Sequence, residues 1–168
     1  ARLLKQMGYS LRINHKKLAR GSSCDRNAQF LSIAALREDC AERGLPVISV
    51  DAKKKELVGN FKNNGVAWSR EPIAVNDHDF RSDASGIAVP YGIYDLAANK
   101  GTVFVGTSYD TATFAVDSIE AWWRTEGCLR YPNANTLTIL ADGGGSNGVR
   151  RRAWKTELHE QLCLRHGL

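Results

Sequence analysis

Two short apolar runs that each end in a carboxylate, VISVD at 47–51 and TLTILAD at 136–142, constrain the chain most. Val47, Ile48 and Val50 make a nearly continuous β-branched run, the composition of a central strand buried on both faces. The second run follows a helical stretch. A strand that returns through a helical crossover normally pairs parallel to an earlier strand, with a right-handed connection. If the two runs are neighbours, Asp51 and Asp142 emerge at the same end of the sheet and face each other. Clustered carboxylates without a counter-charge raise one another's pKa and cost stability, so such a pair implies a bound cation or a shared proton. Mg²⁺ and Mn²⁺ take a few carboxylates and complete their shells with water and phosphate oxygens. Two such ions about 4 Å apart can activate a hydroxyl and stabilise a leaving oxygen in phosphodiester chemistry. Gly143, Gly144 and Gly145 would keep the space above Asp142 clear. A purely structural reading stands beside this one: Asp142 caps a strand-to-helix turn and the glycines only bend it.

The remaining elements fit one α/β core. Apolar positions Phe30, Ile33, Ala34, Leu36, Cys40 and Ala41 recur at helical intervals, with Ser23 or Asp25 as a cap and Gly44 as a stop, which predicts a helix over 25–43. Residues 60–85 are irregular. Strands at 87–97 and 102–108 form a hairpin around Asn99, Lys100 and Gly101. Asp110 or Thr111 can cap a helix that carries Ala115, Ile119, Trp122 and Trp123 on one face and ends at Gly127. A last helix spans 150–166, with Trp154, Leu158 and Leu162 along one side.

A length of 168 residues accommodates one packed domain and a short appendage. No apolar run approaches the ~20 residues of a membrane span, and residues 1–10 lack a signal-peptide core, which points to a cytoplasmic protein. Cys24, Cys40, Cys128 and Cys163 lack metal or redox spacing and read as reduced thiols. The net charge of +5 favours a polyanionic partner. Two basic clusters flank the acids. Lys53, Lys54 and Lys55 follow Asp51, and are either a solvated strand end or a rim that grips phosphates. Arg150, Arg151, Arg152 and Lys155 open the helix beyond Asp142, where cations oppose the helix dipole and an external anion would offset the conflict. The glycine-rich turn has neither phosphate-loop nor dinucleotide-fold spacing. Asp77, His78 and Asp79 are adjacent in a loop and poorly placed to converge on a metal. Trp122 and Trp123 read as core.

The order of elements, with VISVDAKKKELVGNFKN, VNDHDF, YGIYDL, VGTSYDTATFAVDSI and LTILADGGGSNG, resembles the ISAzo-type DDE transposases of bacterial insertion sequences, from about Leu4 to Leu168. The resemblance implies a ribonuclease-H-like fold, a mixed five-stranded β-sheet flanked by helices, incomplete at the C-terminus. It further implies two Asp and one Glu that hold Mg²⁺ or Mn²⁺, two ions in the full-length protein, to cleave transposon ends and join them to target DNA. Asp51 matches the first acid and Asp142 the second. The third comes from a later helix in such families; Glu157 and Glu160, on the earlier helix, do not take its role. Residues 1–20 match the remnant of a helix-turn-helix region and linker, and 21–168 a catalytic core lacking its last strand and helix. The chain starts without Met and stops after a helix, as an excised fragment would, and with two ligands it should bind metal weakly and cleave little or no DNA. The implied partners are DNA and, in the full-length protein, further copies of itself, with no membrane. The rival readings are a non-catalytic DNA-binding module and a nuclease of the same fold without strand transfer.

Overall fold

The structure, a computed structural model, describes residues 2–8, 10, 25–62, 65, 66 and 68–168. The basic stretch at 12–17, the candidate cap Ser23, Cys24, and Asn63 and Asn64 lie outside the described residues. The chain forms two compact units, 1–36 and 37–168. The first contains α1 (Arg2–Gln6) and the start of α2 (Arg26–Glu42); all that follows concerns the second.

Five strands make one mixed sheet: β1 (Val47–Ala52), β2 (Glu56–Val58), β3 (Gly86–Asp95), β4 (Lys100–Gly106) and β5 (Thr138–Leu140). The long strand β3 pairs antiparallel with β4 along one edge and with β1 along the other, while β2 pairs its first residues. On its far side β1 pairs in parallel with β5, Val47 opposite Thr138 and Ser49 opposite Leu140. The crossover expected between the two acid-ended runs is therefore present.

Strand alternation decides what is buried. Ile48, Val50, Tyr91 and Ile93 point to one face and pack against Ala115, Val116, Ile119 and Trp122 of α3 (Ala112–Trp122), and against Trp154 and Leu162. Each fully buried aliphatic or aromatic side chain there contributes roughly 1.5–3 kcal/mol. On the other face of β1, Val47 packs with Cys40 and Leu45, while Ser49 and Asp51 are exposed. β1 is thus not buried on both faces as its β-branched run implied: only its first residue is covered on the second face. That cover comes from the last turn of α2, where Leu45 N–H donates to Cys40 O and Gly44 N–H to Ala41 O in a Schellman stop. Of the α2 residues in the second unit, Cys40 is the buried one.

Thr111 caps α3, its Oγ1 accepting from Phe114 N–H at 3.1 Å. The expected stop at Gly127 does not occur. The helix passes through a π turn, Trp123–Gly127, into α4 (Cys128–Arg130). Gly127 keeps right-handed helical backbone, φ −62°, and a Cβ there would lie 2.5 Å from Trp123 Cε3. That glycine answers the packing of two tryptophans rather than a need to end the helix. The last helix, α5 (Arg152–Leu158), likewise continues into a π turn, His159–Leu164. Among the described residues no helix is long and apolar enough to cross a membrane.

Candidate active site

The parallel register sets Ser49 beside Leu140, and two residues further along each chain come Asp51 and Asp142. Ser49, Val50, Asp51, Leu140, Ala141 and Asp142 line one open cleft of about 330 Å³ at the C-terminal ends of β1 and β5. Sequence reasoning placed the two acids at the same end of neighbouring strands, and the structure brings them to this common cleft.

Their surroundings differ. Asp51 is exposed, and its Oδ2 accepts from Lys53 Nζ at 2.7 Å. Gly92 stands opposite Asp51 in the β1–β3 register, and the Lys53 arm passes over it, Cε lying 3.9 Å from where a Cβ of residue 92 would stand, an ordinary contact distance. An exposed pair of this kind is worth about 0–1 kcal/mol. Asp142 Oδ1 accepts from Gly144 N–H at 2.9 Å, an Asx-type turn made accessible by Gly143 (φ 71°) and Gly145 (φ 54°). A carboxylate offers about four lone-pair sites, so one local bond leaves Asp142 most of its capacity as a ligand. A Cβ at residue 144 would lie 3.5 and 3.6 Å from its two oxygens, in ordinary contact with them.

Behind the cleft lie polar groups that sequence reasoning missed. Tyr91 is fully buried and its hydroxyl donates to Asn147 Oδ1 at 2.8 Å. Burial above all, then the charges of Asp110, Asp51 and Asp142, hold the phenol well above its ordinary pKa. Tyr91 is therefore a fixed donor. Ser146 and Asn147 are also buried, and Asp110 Oδ1 and Ser146 Oγ are buried without a hydrogen-bond partner among the described residues. The available signal was the alternation of β3, which puts Tyr91 on the core face, where a buried hydroxyl needs a partner.

Two carboxylates on an open cleft are hard oxygen donors that suit an ion keeping several waters and taking phosphate oxygens. Among the described residues no group of three or more His, Cys, Asp or Glu side chains could hold a metal ion. The donor set fits a cation bound through Asp51 and Asp142 and completed from elsewhere.

Residues 1–168 match the family model described as the Rhodopirellula transposase DDE domain. The chain belongs to this transposase family. Two solved structures are similar to it: a Mos1 transposase paired-end complex with left transposon end, and a pre-cleavage Mos1 transpososome. Each has a TM-score of 0.50 and 12% identity and covers 95% of this chain, which in turn covers 46% and 47% of theirs. The chain thus spans about half the length of those structures, and the likeness shows the fold, which is ribonuclease-H-like. Comparison with curated protein sequences finds no match.

The other expected site residues of this DDE domain sort clearly. Lys54, Lys55, Arg150, Arg151, Arg152 and Lys155 are exposed, and among the described residues none forms a salt bridge. Arg151 folds back over Gly148, whose Cβ position lies 3.0 Å from Arg151 Cγ. Lys53 differs from its neighbours in binding Asp51. Glu157 is engaged between helices, accepting from Thr113 Oγ1 at 3.2 Å and Gln161 Nε2 at 2.9 Å, and Glu160 is exposed. Asp77 and His78 pair at 3.3 Å in the exposed loop, where His78 stacks on Phe80. Trp122 and Trp123 are core, as expected. Cys40, Cys128 and Cys163 are free thiols.

Proposed function

We propose that Asp51 and Asp142 are the catalytic carboxylates of a Mg²⁺- or Mn²⁺-dependent DNA transposase, holding the ions that cleavage and strand transfer of insertion-sequence DNA require. The observation that carries this reading is the parallel β1–β5 pairing, which brings both acids onto one cleft. When bound, divalent ions supply the Lewis acidity for in-line displacement at phosphorus. The chain's own residues do the rest. Asp51 and Asp142 present oxygens to one cleft. Gly143–Gly145 leave Asp142 uncovered so that a DNA backbone can approach. Lys53 neutralises Asp51 in the resting protein and turns to a phosphate when the acid is engaged. Lys54, Lys55, Arg150, Arg151, Arg152 and Lys155 grip phosphates around the cleft, so binding weakens steeply with salt.

A third acid completes the set in the full-length protein, which works as a homo-oligomer on transposon ends and target DNA. Residues 21–168 are the catalytic core.

The test is Mg²⁺-dependent nicking of transposon-end DNA by the full-length protein, and joining of a pre-cleaved 3′-OH end to target DNA. Both activities should vanish in Asp51→Asn and Asp142→Asn; activity equal to the unmodified protein in either variant rejects the assignment. The Lys53–Asp51 contact favours one other reading, a DNA-binding module whose acids are structural. It requires salt-sensitive DNA binding that neither substitution changes, and no divalent-ion binding.

A further inference from the structure

The turn after Asp142 is held by a chain of hydrogen bonds that begins in the core. Tyr91 hydroxyl donates to Asn147 Oδ1 at 2.8 Å, Asn147 N–H donates to Gly144 O at 3.0 Å, and Gly144 N–H donates to Asp142 Oδ1 at 2.9 Å. Residues 143–148 include Gly143, Gly144, Gly145 and Gly148, a sequence with much backbone freedom to lose. Its two buried side chains are Ser146 and Asn147, and of these only Asn147 is bonded, across 56 residues, to Tyr91. Tyr91 is immobilised by full burial on β3 and an edge contact with Phe114, ring centroids 6.0 Å apart. The next residue of the same strand, Gly92, stands in register with Asp51. One strand therefore governs both acids, Asp51 through backbone pairing and Asp142 through a phenol.

We infer that Tyr91 and Asn147 are positioning residues that fix the direction of the Asp142 carboxylate. The inference rests on the reading of Asp142 as a cation ligand for its functional meaning, while the relay itself can be measured without any cation. Groups that orient a metal ligand typically change affinity or activity 10- to 100-fold when removed. Loss of a single hydrogen bond typically corresponds to about a 5- to 10-fold change in a local equilibrium.

The variants are Tyr91→Phe, which keeps the ring in the core, Asn147→Ala, which removes the acceptor and keeps the whole of Tyr91, and the two combined. In the full chain, hydrogen exchange of the Gly144 amide, followed by NMR, should accelerate about 5- to 10-fold in each variant, with amides of β1 and β3 unchanged. Mn²⁺ affinity, read from the EPR signal of free Mn²⁺, should fall at least about 10-fold in either variant, and the double variant should be no weaker than the worse single one. If Gly144 exchange and Mn²⁺ affinity stay at the unmodified level, the inference is wrong. It is equally wrong if all amides accelerate together with overall stability while Mn²⁺ affinity is unchanged, since that is the mark of a merely structural contact. Should the unmodified chain bind no Mn²⁺, the reading of Asp142 as a ligand falls; Gly144 exchange still decides the relay, and an unchanged rate in Tyr91→Phe overturns it.

Discussion

The two ends of the β1–β3 ladder treat an aspartate in opposite ways. At one end Asp95, opposite Ile48, is fully buried and saturated: it accepts from Arg130 Nη1 at 2.5 Å, from Ala98 N–H at 3.0 Å, and lies 2.8 and 3.0 Å from the Tyr131 hydroxyl. Arg130 also reaches Glu126, which Lys100 and Thr102 bind at 2.8 Å each. At the other end Asp51, opposite Gly92, is exposed and meets one lysine, with Asp142 beside it on the cleft. Each end also has a tyrosine whose hydroxyl serves it, the half-buried Tyr131 bonding its acid directly and the buried Tyr91 bonding only the turn that carries Asp142. Where the acid serves the fold, its oxygens are spent inside the protein. Where oxygens are left free, with the supporting bonds placed one step behind, the acid can serve a ligand.

Exchanging the properties of the two ends should break this contrast. The largest effect falls on catalysis: Asp51→Asn or Asp142→Asn in the full-length protein should reduce nicking to background, yet move the urea midpoint of the domain by an amount equivalent to no more than about 0.5 kcal/mol. Arg130→Met should do the reverse. It strands a buried Asp95 carboxylate and should cost about 3–5 kcal/mol in urea unfolding, with Mn²⁺ affinity unchanged.

The pH dependence should separate the ends as well. The Lys100 ammonium first, then Thr102 and Arg130, hold the Glu126 carboxyl down from an ordinary 4.5 to about 2 against the opposing effect of burial. A depressed carboxylate pKa gives stability that is present above the unfolded value and disappears as pH falls from about 4.5 toward about 2. Glu126→Gln should flatten that acid limb. Burial, with the bond to Asp95, pushes Tyr131 from 10.0 up to about 12, so its contribution is complete below pH 10 and is lost between about 10 and 12. Tyr131→Phe should remove that alkaline limb. Stability measured by denaturant titration across pH checks both. The smallest effect belongs to the exposed pair: Lys53→Ala frees Asp51 and should tighten Mn²⁺ about 2- to 5-fold, while weakening DNA binding and lowering its salt slope by about 1.

Much of the acid end was legible in the sequence because its signals are local. VISVD and LTILAD show strand composition and a terminal acid, and the helix between them dictates parallel pairing. The hairpin around Asn99 was equally plain, with its strand ends at Asp95 and Lys100, two residues before the expected 97 and 102. What escaped depends on contacts distant in sequence. Nothing around Tyr91 names Asn147, 56 residues away, and nothing around Asp95 names Arg130, because each pairing is created by the packing of separate elements. Gly127 misled for a related reason: glycine commonly ends a helix, but here it makes room for Trp123, a requirement visible only once the ring is placed. Lys53 was half legible, since period-2 alternation puts it on the face of Asp51, yet lysines beside a phosphodiester site read first as phosphate contacts.

Anomalous diffraction from crystals soaked in Mn²⁺ tests the assignment of the two acids most directly. The expected result is a manganese peak in the cleft, ligated by both Asp51 and Asp142, with Lys53 displaced from its carboxylate. A cleft without manganese, or carboxylates turned away from each other while the ion binds elsewhere, would contradict it.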